Sequence, residues 1–225
     1  ESPENIRGDV ENELLNLEAC DSVDMSIKNS VDLLSEEFEQ QLKGDYKEDV
    51  VKTHISHLDD KLGLGGIGAG EVVVLSAPTS CGKSQLALNI VARTATLDNT
   101  PCGIFSLEMP QKQVVRRLVT CRSRFNLKQI REGVISDSNM DKVREGCEAV
   151  KEMPIFTVHS IKGIGELCSY ARTMVRRHKV KLLVIDYLQL IPFDSRNQSK
   201  NDAIANISHT IKQLALELNV GILLL

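Results

Sequence analysis

The sequence has no tryptophan and few other aromatic residues, which together make up only 4% of the chain. That scarcity argues against a carbohydrate or peptide platform built of stacked rings, and it leaves nucleic acid open as a partner. Long apolar runs are missing too. The longest, such as Val72–Leu75 and Leu182–Ile185, fall far short of the roughly 18 residues of a membrane-crossing helix. The acidic opening ESPENIRGDVENE lacks the basic and apolar regions of a signal peptide. No C-x-x-C pair occurs. Cys20, Cys81, Cys102, Cys121, Cys147 and Cys168 stand singly, five of them flanked by helix- or strand-like sequence, which fits a reducing compartment better than a disulfide framework. The expectation is a soluble, cytoplasmic protein.

The residues present suffice for one sizeable aliphatic core. With 225 residues, 42% hydrophobic and 26% charged, the chain makes one large domain or one domain with an arm. The net charge of −4 conceals a division: residues 1–50 hold 4 Lys and Arg against 15 Asp and Glu, and the remainder holds 23 against 16. An acidic appendage thus precedes a mildly basic body able to meet polyanions.

Within the appendage, Val10, Leu14 and Leu17, then Ile27, Val31, Leu34, Phe38 and Leu42, recur at three- and four-residue steps and close at Lys43 and Gly44. The spacing predicts two amphipathic helices with a break near Asp21–Asp24. A helix with a continuous apolar stripe must dock on something, and the polar stretch Gly44–Asp49 separates it from the rest of the chain. Residues 1–45 are read as a helical linker arm whose partner is either another subunit or its own domain, and residues 46–225 as the main domain.

From Glu71 the periodicity alternates. Strands are expected over Glu71–Ala77, Gly103–Leu107, Ile155–Val158, Lys181–Ile191 and Val220–Leu225, and helices over Gly82–Leu97, Gln111–Phe125, Asn139–Glu152, Gly165–His178 and Asp202–Leu218. Near-continuous Val/Ile/Leu strands separated by helices predict an α/β fold with a mostly parallel central sheet covered on both faces. The chain closes on a naked apolar strand with no covering element after it, so a shortened protein is expected.

The stretch EVVVLSAPTSCGKSQLALNI runs from a buried strand through Ala77, Pro78, Thr79, Ser80, Cys81, Gly82, Lys83 and Ser84 directly into a helix. Strand, loop and helix in that order are the context of a phosphate-binding P-loop. Backbone N–H groups and the helix N-terminus suit the β-phosphate, Gly82 permits close backbone approach, Lys83 reaches the β- and γ-oxygens, and the Ser84 hydroxyl suits Mg²⁺. Ala77 departs from the glycine that usually opens the pattern. Two further patterns carry no site: Gly63, Gly65 and Gly68 match G-x-G-x-x-G but precede the strand at Glu71, so they read as a flexible turn. His54 and His57 have no third ligand in reach by sequence.

A P-loop needs an acid at the end of an apolar strand to hold the water shell of Mg²⁺, and Asp186 in KLLVID supplies it. Glu108 ends another strand, in IFSLEMP. Read as a neighbour of the P-loop strand, it is placed to orient and deprotonate an attacking water. Gln189 follows Asp186 by three residues and is placed to sense the γ-phosphate.

FSLEMP at 105–110, VIDYLQLIP at 184–192 and the Ala-led P-loop together resemble the bacterial and phage DnaB-type replicative helicases, as do LDDKLGLGGIGAGEVVVLSAP, SRFNLKQIREG and ISHTIKQLALELNV. The likeness spans roughly residues 8–225. It implies a RecA-like motor working as a ring of six, with ATP and Mg²⁺ as ligands and single-stranded DNA as the track. It further implies that helix 26–43 packs on the adjacent subunit to tie a homo-hexamer together, and that primase and a helicase loader bind the intact protein. By the same resemblance the loop Pro192–Lys200, with Arg196 and Lys200, faces the ring channel; as residues alone, it reads equally as a solvated loop. A sensor, the main DNA loop and a trans-acting arginine are expected after Leu225, and a bacterial or phage-infected cytoplasm is the implied setting. Arg172, Arg176, Arg177, Lys179 and Lys181 form a denser basic cluster at a helix end, where cations favour the helix dipole. Two other readings remain: a RecA-type recombinase or clock-type ATPase, and a non-catalytic module that uses nucleotide only to order its assembly.

Overall fold

The computed structural model describes residues 27–43, 49–78, 80–123, 137–193 and 199–225. The chain divides into two units, Glu1–Lys47 and Glu48–Leu225. In the first, the described element is helix α1 (Ile27–Lys43), on which Ile27, Val31, Leu34, Phe38 and Leu42 are all exposed. The helix expected over Val10–Leu17 lies outside the described residues.

The second unit opens with a small antiparallel pair, β1 (Val50–Val51) and β2 (Ile67–Gly68), around the helical turn α2 (Ser56–Asp59). The glycine-rich stretch expected as a flexible turn is therefore divided. Gly65 turns the chain at φ +75°, whereas Gly68 lies in the ladder opposite Val50. Ile67, 1% exposed, explains the difference, because its burial ties this half of the stretch to the core.

The main sheet is built from β3 (Val72–Val74), β4 (Cys102–Ser106), β5 (Ile155–Val158), β6 (Leu182–Asp186) and β7 (Gly221–Leu224). The strands are parallel in the order β3-β7-β6-β4-β5. Helices α3 (Lys83–Leu97), α4 (Gln111–Ser123), α5 (Asp137–Lys151), α6 (Ile164–His178) and α7 (Lys200–Leu218) lie between them in the chain. Successive strand side chains point to opposite faces, so an all-apolar strand must be covered twice. Ile104, Leu182, Val184 and Leu223 pack in one layer with Leu88, Ile90 and Val91 of α3 and Val114 and Leu118 of α4. Phe105, Leu183, Ile185 and Ile222 pack in the other, with Leu167 and Ala171 of α6 and Ile211 and Leu214 of α7.

Three expectations change. The long strand Lys181–Ile191 stops at Asp186, opposite Ser106, where the β4 ladder ends. It continues as a 3-10 turn over Leu188–Leu190, because Leu188 and Ile191 are the buried residues and their spacing of three is that of a 3-10 turn, not of a strand. The last strand is not naked. β7 is inserted between β3 and β6, with a partner on each side, which accounts for the uniform burial of 221–225. Finally, β4, which carries Glu108 at its end, is not beside the P-loop strand: β7 and β6 lie between them. Succession along the chain is not adjacency in the sheet, since each crossover helix can carry the chain past intervening positions.

Candidate functional site

Because the strands are parallel, β3, β4 and β6 deliver their carboxyl ends to the same edge of the sheet, the edge at which open α/β sheets bind ligands. After β3 the chain passes through Ala77, half-buried, and Pro78, Ser80, Cys81 and Gly82, all exposed; Thr79 lies outside the described residues. Ser80 (φ +64°) and Gly82 (φ +89°) adopt the left-handed conformation, which glycine takes without a Cβ penalty. Gly82 is the N-cap of α3. No side chain caps it and no acid occupies the first turn, so the free N–H groups and the positive end of the dipole remain for an anion. Lys83 and Ser84 are the first two residues of α3, both half-buried.

Asp186 ends β6 at 4% exposure. A carboxylate buried to that degree is costly unless it is hydrogen-bonded, paired or coordinating. Its own carbonyl accepts the N–H of Leu107 at 2.8 Å, which joins the end of β6 to the first residue beyond β4. Together the Ser84 hydroxyl and the Asp186 carboxylate offer hard oxygen donors of the kind Mg²⁺ prefers, and that ion keeps several of its own waters.

Glu108 is exposed, in the bend between β4 and α4. The backbone around it is held. Met109 is 7% exposed, and its carbonyl accepts hydrogen bonds from the Ser106 hydroxyl at 2.9 Å and from His159 Nδ1 at 3.2 Å. Sequence reasoning missed both donors. Ser106 left a signal, a polar residue in the otherwise apolar strand CGIFS; His159 left none, because it reaches the loop from beyond β5.

Gln189 is exposed in the 3-10 turn after β6. Arg196 lies outside the described residues, and Lys200 begins α7 without its side chain being described. The basic cluster is partly consumed internally. Arg172 donates to both Glu217 oxygens, at 2.8 and 2.9 Å, and Lys181 Nζ reaches Asp49 at 2.8 Å. The bonds from Arg172 hold the Glu217 carboxyl below its ordinary value. Among the cysteines, burial pushes the Cys102 thiol up to about 12, whereas Cys81 is exposed on the loop itself.

A parallel sheet in this strand order, with a Gly-Lys-Ser helix start and acids following two other strands on the same edge, defines a RecA-like P-loop ATPase. The sequence profile of the DnaB-like helicase C terminal domain matches residues 50–225, and the chain belongs to that family. It is 32% identical over 163 residues to the replicative DNA helicase DnaB of Buchnera aphidicola from Schizaphis graminum, an alignment covering 71% of this chain and 35% of that protein. The chain thus matches only about a third of the length of this curated relative. Among solved structures, one ATPase domain superposes with a TM-score of 0.79 at 23% identity, covering 89% of this chain and 70% of that one. A DnaB-like replicative helicase, whose structure was described with its interactions with primase, superposes at 0.76 and 24% identity, covering 95% and 51%.

Proposed function

We propose that this chain is the motor of a ring-shaped replicative helicase, which hydrolyses ATP to move along single-stranded DNA and displace the complementary strand. The observation that carries the reading is the common sheet edge: Gly82–Ser84 and Glu108 follow, and Asp186 ends, three strands of one parallel sheet, on the edge at which open α/β sheets bind ligands. In this reading Lys83 and the backbone N–H groups of the loop 77–84, Pro78 excepted, hold the phosphates, and Ser84 and Asp186 hold Mg²⁺. Mg²⁺ supplies neutralisation of the charge on the β- and γ-oxygens. Glu108 takes the proton of the attacking water, and Gln189 reads whether the γ-phosphate is present. Arg196 and Lys200 contact the DNA backbone, a contact that is tolerant of sequence and weakens steeply with salt.

The arm 1–45 belongs to the same proposal. Its stripe on α1 docks on the body, 46–225, of an adjacent subunit and closes a homo-hexamer, and primase and a loader bind the assembled ring. An arginine from the neighbour is then required for full turnover, a contribution of about a thousandfold or more in rate.

Nucleotide affinity and ATPase rate, measured with and without single-stranded DNA, test the reading. Lys83→Ala is expected to abolish nucleotide binding, because the phosphate charge loses its ammonium. Glu108→Gln is expected to bind normally and lose hydrolysis by about a hundredfold or more, since an amide cannot accept the proton. Unchanged affinity in the first variant would remove the nucleotide from this loop; wild-type turnover in the second would move the base elsewhere.

A further inference from the structure

Glu108 is exposed, yet the residues on either side of it are fixed in different ways. On one side, Leu107 donates its N–H to the Asp186 carbonyl at 2.8 Å, which ties the loop to the end of β6. On the other, the Met109 carbonyl uses two donors, Ser106 Oγ and His159 Nδ1. A carbonyl oxygen only accepts, so Nδ1 must carry a hydrogen. In the neutral ring, Nε2 is then the acceptor, and it lies 3.0 Å from Thr157 Oγ1, which donates to it. The Met109 carbonyl thus fixes the tautomer, and the Thr157 hydroxyl, which can donate to Nε2, holds the ring in the orientation that this bond requires.

The two donors are not equivalent. Ser106 belongs to β4 itself and moves with the loop it holds. His159 follows β5, the strand beside β4, where Phe105 is in register with Val158. It is therefore the imidazole that anchors the far side of the loop to a different strand of the sheet. We propose that His159 is a positioning residue for hydrolysis: through the Met109 carbonyl it holds the loop on which Glu108 stands at a fixed place relative to Asp186. The proposal rests on the reading of Glu108 as the base that activates water.

Releasing one side of the loop would leave Glu108 chemically intact but free to swing, and a displacement of about 1 Å in a catalytic group costs on the order of a hundredfold in rate. Phosphate binding uses the α3 end and does not pass through His159. The loss should therefore fall on kcat and spare KM for ATP.

The test compares the full chain with His159→Ala, His159→Gln and Thr157→Val, measuring ATP turnover, equilibrium nucleotide affinity and hydrogen exchange of the Leu107 amide. His159→Ala is expected to lower kcat between about tenfold and a hundredfold with nucleotide affinity unchanged, and to speed Leu107 exchange by about tenfold as local opening becomes easier. His159→Gln, which can still donate to the carbonyl, should recover most of both effects. Thr157→Val should produce a smaller loss of the same kind, and it provides the measurement if the alanine variant does not fold. Unchanged turnover and exchange in His159→Ala overturn the proposal. So does a loss of nucleotide affinity as large as the loss of turnover, which would give His159 a general structural role. Glu108→Gln separates the two readings: if that variant hydrolyses ATP at the wild-type rate, Glu108 is not the base, and Leu107 exchange alone then decides whether His159 holds the loop.

Discussion

Helices α1 and α3 make an instructive pair. On α1 the apolar residues are large and regularly spaced, and every one of the five stands exposed, from Leu34 at 46% to Leu42 at 89%. α3 carries smaller apolar residues, many of them alanine, and buries Ala87, Leu88, Ile90, Val91, Ala92, Thr94 and Ala95 against the sheet. Periodicity thus states which face must be covered without stating by what. For α3 the cover is the sheet of its own unit; for α1 the cover is what the proposed docking on another copy supplies.

Three experiments sharpen or break that contrast. The largest effect is expected on deleting residues 1–45. If Ile27, Val31, Leu34, Phe38 and Leu42 are covered in the assembly, each fully buried side chain is worth roughly 1.5–3 kcal/mol before ordering costs, so the deletion should turn rings into monomers. The body should stay folded and bind nucleotide, with hydrolysis reduced. Light scattering at matched concentration decides it: an unchanged oligomer would mean that the stripe does not hold the ring. Next in size is Ile90→Ala on α3. This side chain is 1% exposed, and its truncation should cost about 2–5 kcal/mol in denaturant unfolding of the body, while the paired change Leu34→Ala/Phe38→Ala should leave that unfolding within about 0.5 kcal/mol. Equal losses at both sites would erase the distinction between the helices. The smallest effect concerns Glu217. Arg172 lowers its carboxyl pKa, so the pair stabilises the fold above the ordinary carboxylate value of 4.5 and loses that contribution as pH falls through the lower, folded value. Both side chains are partly exposed, which limits the contribution to about 0–1 kcal/mol. Glu217→Gln should flatten the acid limb of the stability profile by that amount; an unaltered limb would make the ion pair energetically silent.

Local features were legible and relational ones were not. The strand Ile155–Val158 and the span of α3 follow from runs of Ile, Val and Leu and from the Gly-Lys start, information carried within a few residues. The end of β6 was overrun because LQLI is as apolar as a strand, and only the burial of Leu188 and Ile191 with exposure of Gln189 reveals the turn. The neighbour of β4 was misjudged because strand order is set by crossovers, which leave no trace in composition. His159 illustrates the limit: its partners are the Met109 carbonyl and the Thr157 hydroxyl, and the first of these is brought to it only by the register of β4 on β5.

The interior position of β7 has a consequence for vectorial synthesis. As a nascent polypeptide leaves the ribosome, β3 emerges before the other strands of its sheet, but among the described residues its ladder partner is β7, with Val72 opposite Ile222. β4, β5 and β6 can pair with one another while β3 still has no strand to join. The segment after β3 therefore hangs from an unpaired apolar strand until Gly221–Leu224 has emerged, and insertion of β7 is the event that anchors it. Such late, non-local pairing is slow and leaves hydrophobic edges open meanwhile, so ribosome-stalled chains ending before Gly221 should hold the β4–β6 block without a competent phosphate cradle.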